Sequence, residues 1–210
     1  MKYLNAFQST LLRNRRLVTV IAVAFFSVLI LTTVVAYLIL LSYPDFGKTL
    51  QSALAGAGDY MAIPPPYTDG LYRFIFLNNI AHFWNPVRLW VWIPLIGAFG
   101  LGYELILNAV VIGGVAAFVS LTKGPLYTVE GLVPHGVIEI PAFILEFTGL
   151  ARWHVTATRA LASRFSGRPV DRLLLKEGVK DAVVLSLLSL VLFAIAAYIE
   201  TFITPHLLGR

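Results

Sequence analysis

Cysteine is absent from this chain of 210 residues, which excludes disulfide staples, thiolate metal ligands and thiol catalysis. Charge is almost as scarce. Only 13% of the residues are Asp, Glu, Lys or Arg, about half the share of a soluble domain, so a water-facing globule of ordinary composition is excluded too. The chain has no HExxH, no GxSxG and no Gly-rich phosphate loop with a Lys, which removes the common zincin, hydrolase and nucleotide chemistries. No enzymatic activity is expected. Internal repeats and low-complexity tracts are missing, so an inverted-repeat transporter design is not visible. What fills the chain is apolar: 58% hydrophobic residues and a mean hydropathy of +0.80. The net charge of +5 sits beside the apolar segments without interleaved aromatics, so membrane lipid, and no nucleic acid, is the expected partner.

The fold class read from this pattern is all-α, an integral membrane bundle of about five transmembrane helices forming a single membrane domain over residues 1–210. Leu17 to Ser42 runs 26 residues without a charge, enough to span hydrocarbon. The expected layout is a cytoplasmic N-terminus (1–16), a first span (17–43) read as a retained anchor, an external loop (44–70), spans two to four (71–151), a basic cytoplasmic segment (152–180) and a last span (181–204). Within 71–151, one helix is expected over about 69–86. A second, bent near Pro94 and the glycines at 97, 100 and 102, is expected over about 88–121, and a third over 131–150. The external loop is expected to hold one short helix, Phe46 to Leu54, before the stiff Pro64-Pro65-Pro66 run. Trp153, Ala157, Leu161 and Phe165 recur four apart among Arg152, Arg159 and Arg164, the pattern of a basic amphipathic helix lying on an anionic leaflet. Of the 16 Lys and Arg residues, 12 fall in segments assigned to the cytoplasm, counting Arg88 in the turn between spans two and three, which places the N-terminus inside and the C-terminus outside. Gly97, Gly100, Gly102, Gly113 and Gly114 permit close helix contacts, either inside one bundle or across a homodimer.

Ionisable groups inside apolar spans are expensive and are therefore the candidate functional residues. His135 and Glu139 stand four apart and share a helix face, Glu146 continues nearly the same stripe, and Pro141 cannot donate to the carbonyl of Val137. Asn78, Asn79, Asn108, Glu104 and Glu200 are expected at depths where they join one polar cluster. Three readings of the cluster stay open. It braces the helices, it holds a proton or a divalent cation through His135, Glu139 and Glu200, or it docks a partner. His82, His154 and His206 read as interfacial and carry no role.

FLNNI (76–80), LILNAVVIGG (105–114), VPHGVIEIPAFILEFTGL (133–150) and YIETFITP (198–205) together resemble the stage II sporulation protein M family. The likeness covers roughly residues 70 to 205, and its PHGxxExPA segment is the most specific part. The resemblance implies motif positions at Asn78, Asn79, Asn108, His135, Gly136, Glu139, Pro141 and Glu200, with Ala109 standing where the family usually has Gly. It also implies a non-catalytic membrane scaffold that anchors protein partners in a complex. In spore formers those partners degrade peptidoglycan; elsewhere transport has been entertained. A scaffold is the first reading and an ion-coupled permease the second.

Overall fold

A computed structural model describes residues 2–50, 52 and 63–209, and the described residues form helices joined by short turns. Helix α1 spans Lys2–Ser42, α2 Asp69–Asn79, α3 Ala81–Trp84, α4 Ile96–Lys123, α5 Pro125–Phe165 and α6 Arg172–Tyr198. A 3-10 turn covers Leu89–Trp92, a π-helical turn Ile199–Ile203, and a last short helix, α7, Thr204–Leu207. Four stretches are long and apolar enough to cross a bilayer: Phe7–Ser42, Ile96–Lys123, Pro125–Phe165 and Arg172–Leu207.

Several expectations need correction. The helix expected over 69–86 is interrupted at Ile80; α2 alone, at 11 residues, measures about 16 Å, short of the roughly 30 Å of hydrocarbon. The expected helix over 131–150 is the middle of α5, which has 41 residues and measures about 60 Å. Residues 152–165 continue it, with no separate interfacial helix there. Pro134 is therefore an interior residue of α5, and Pro141 sits in the same uninterrupted helix. The chain is helical over 44–50, while the rest of the helix expected at Phe46–Leu54 reaches residues outside those described.

By internal packing the chain divides into two compact units, one of Met1–Phe25, Ile80–Ile106 and Ile140–Phe193, the other of Phe26–Asn79, Leu107–Glu139 and Ala194–Arg210. The first unit is built on Ile21, Val91, Leu101, Ile144, Phe147 and Leu150, with Phe143 bridging Phe147 and Phe25 at ring distances of 4.2 and 5.3 Å. Close helix approach adds to it. A Cβ at Gly149 would lie 3.0 Å from both the Ala182 carbonyl and Ser186 Oγ, so α5 and α6 approach closely there, as a glycine permits. The same unit buries an ion cluster at the start of α1. Fully buried Asp181 accepts from Arg13 at 2.5 and 3.2 Å, Thr10 at 3.2 Å and Asn14 at 2.9 Å. In the second unit, α4 approaches α1 where a Cβ on Gly113 would stand 2.8 Å from the Leu29 carbonyl. Added Cβ atoms on Gly102 and Gly114 would meet nothing within 4 Å.

Candidate functional site

The second unit brings together three of the residues singled out from sequence. His135 and Glu139 lie one turn apart on α5, with His135 Nε2 3.9 Å from Glu139 Oε2. Glu200 enters from the π-helical turn after α6, and one ligand atom from each of the three falls within 4.8 Å of the others. A π turn is rare and recurs at functional positions. Here its Thr201 carbonyl accepts the N–H of Tyr67 at 3.2 Å, and Tyr67 itself takes a positive φ of 63°, an unusual conformation for a bulky residue.

Each of two ligand side chains has an orienting contact. Asn79 Nδ2 donates to Glu139 Oε1 at 2.8 Å, and His135 Nδ1 lies 3.4 Å from Thr204 Oγ1. With Nδ1 facing Thr204, Nε2 is the ring atom turned toward Glu139. Such outer contacts fix the tautomer and aim of metal ligands. An imidazole with two carboxylates is a donor set for a divalent cation; the ionised carboxylates carry two negative charges, which that cation cancels. Tetrahedral zinc would draw ligand atoms to about 3.4 Å apart, a modest contraction from the spacing seen. His135 is buried, Glu139 and Glu200 are half-buried, and the site opens on a cavity of about 560 Å³ lined by Pro64, Pro66, Tyr127, His135, Glu200 and Thr204.

The other sequence candidates lie elsewhere. Asn78 is exposed, Asn108 sits half-buried on α4, and Gly136 has open space where a side chain would be. Pro141 is exposed on α5. Glu146 and Glu104 belong to the first unit and to a second polar centre around His82, a buried residue to which the sequence assigns no role. His82 Nδ1 lies 3.0 Å from Glu146 Oε1 and Nε2 3.0 Å from Glu104 Oε2. A neutral ring has one N–H, so two such contacts require a further proton on the ring or on a carboxyl group. Arg88 Nη1 reaches Glu104 at 3.3 Å, while Glu146 Oε2, fully buried, has no hydrogen-bond partner among the described residues. Trp92 Nε1 donates to the His82 carbonyl at 2.8 Å and Trp153 Nε1 to the Trp92 carbonyl at 2.7 Å. His154, also buried, has Nε2 2.7 Å from the Val91 carbonyl. The sequence marks His82 only as a histidine in an apolar segment, with nothing in its spacing to join it to its two carboxylates.

The family model for stage II sporulation protein M matches residues 20–205. This chain belongs to the stage II sporulation protein M family. A relative from Methanocaldococcus jannaschii, described as uncharacterized protein MJ0793, is 34% identical over 112 residues, which is 52% of this chain and 60% of the relative. The match thus spans less than two thirds of that relative's length. No solved structure matches the chain. Within this family member, the converging residues His135, Glu139 and Glu200 fall inside the matched region.

Proposed function

We propose that this family member is a cation-binding multi-pass membrane protein, without enzymatic activity, in which His135, Glu139 and Glu200 take a divalent cation as cargo or coupling ion. The observation that carries the reading is the convergence of one imidazole and two carboxylates from α5 and the π turn within 4.8 Å, on a cavity rather than in a sealed core. Interhelical bracing alone explains Asn79 on Glu139, but leaves the Nε2 of His135 and the Glu200 carboxylate gathered around one point. The permease reading is therefore favoured over the scaffold reading. The distribution of Lys and Arg supports an N-terminus in the cytoplasm and a C-terminus outside.

The test is cation titration of the purified chain in detergent, followed by thermal melting and elemental analysis. Zn²⁺ or Mn²⁺ at 100 times the dissociation constant stabilises the fold by about 2.7 kcal/mol if it binds the native state alone. Glu139→Gln is expected to abolish this shift and the bound metal, and Thr204→Ala to weaken both. Absence of bound metal and of any ion-dependent shift in the unaltered chain would reject the proposal and return the scaffold reading.

A further inference from the structure

The first unit holds a cationic cleft unrelated to the centre above. Helix α5 at about 60 Å exceeds the hydrocarbon thickness by roughly a factor of two, and the surplus at its C-terminal end carries Arg152, Arg159 and Arg164. The turn back into α6 is tight. Arg168 N bonds the Ser163 carbonyl at 2.9 Å, Gly167 takes a φ of 66°, and Asp171 Oδ1 accepts from the N–H groups of Leu173 and Leu174 at 3.0 Å each. Between the two helix ends lies a cavity of about 390 Å³ whose lining includes Arg152, Thr156, Arg159, Ser163, Ser166 and Arg168.

The donors in this cleft outnumber their acceptors. Arg159 and Arg168 make no side-chain hydrogen bond or ion pair among the described residues. Arg152 stands 3.8 Å from Asp181 Oδ2, and its buried Nε has no hydrogen bond. Asp171 also lines the cleft, but its Oδ1 is engaged by the helix amides. Three guanidinium groups with three hydroxyls form a donor set that matches tetrahedral oxyanions, because the planar fork pairs two N–H groups with two phosphate oxygens. At the ends of the same two helices, Phe165 is 86% and Leu173 77% exposed, apolar side chains on the hairpin that holds the cleft.

We infer that this cleft between the ends of α5 and α6 binds a phosphate group, supplied either by an anionic phospholipid headgroup or by a soluble phosphate compound. The lipid source places acyl chains against Phe165 and Leu173; the soluble source uses the donors alone. Native mass spectrometry of the full chain in detergent separates these, with phosphatidylglycerol, phosphatidylcholine and glycerol phosphate as probes. The unaltered chain is expected to retain phosphatidylglycerol and not phosphatidylcholine. Arg159→Gln with Arg168→Gln should weaken retention by about tenfold or more. Arg164→Gln with Arg172→Gln removes equal charge from the same hairpin outside the cleft and should change it by less than about threefold. Displacement of the lipid by glycerol phosphate assigns the soluble source; retention in its presence assigns the headgroup. Failure of both phosphate probes to bind, or equal loss in the two double variants, overturns the inference.

Discussion

The first unit confines more charge than its size leads one to expect, and single side chains carry the consequence. Glu146 is fully buried with one partner, the ring of His82, on Oε1 and none on Oε2. Removing the partner of a buried charge costs about 3 to 5 kcal/mol, since the desolvated group is left uncompensated. His82→Ala is therefore expected to lower stability by about 3 kcal/mol in detergent melts, while His206→Ala, at an exposed position, leaves the melting temperature unchanged. Equal melting of the two variants would show that the bridge between Glu104 and Glu146 contributes nothing. The same contrast explains what was legible in the sequence. His135 and Glu139 were visible as a pair because four residues is one turn, a local property. His82 finds its carboxylates 22 and 64 residues away, and no spacing rule reports that; its neighbours Phe83 and Trp84 instead resemble an interfacial belt.

At the level of elements, local chemistry decided where α5 ends, and hydropathy did not. The apolar run stops near Leu150, yet nothing from Ala151 to Phe165 breaks a helix; the first breakers are Gly167 and Pro169. The backbone ladder closes regardless of side-chain polarity, so the basic stretch expected as a separate helix continues the span. Pro134 and Pro141 both stand inside α5, since a membrane helix tolerates interior proline where neighbouring groups re-satisfy the backbone. Element contacts give a paired prediction. Gly149→Ala puts a methyl 3.0 Å from the Ala182 carbonyl and is expected to lower stability by about 2 kcal/mol, the usual scale of overpacking. Gly102→Ala enters open space and should not lower it. Thermal melts of both variants side by side check the claim, and an unharmed Gly149→Ala would refute the overpacking at that crossing.

For the whole molecule, four helices long and apolar enough to cross a bilayer are plain from composition and length, whereas the path of residues 69–92 is not, because a broken segment has no single hydropathy signature. This bears on orientation. Four complete crossings leave both termini on one side; a fifth, made by the broken segment, puts them on opposite sides. The charge distribution favours opposite sides. The lack of cysteine makes the measurement simple, since Gln8→Cys and His206→Cys each introduce a single thiol. In right-side-out vesicles an impermeant maleimide is expected to label position 206 and not position 8. Labelling of both, or of neither, would contradict the proposed orientation. One backbone contact has a mechanical consequence. The amide of Tyr67, first residue after the proline run, is tied to the carbonyl of Thr201 next to Glu200, so a load applied to that stiff run is passed straight to the turn that carries the Glu200 carboxylate.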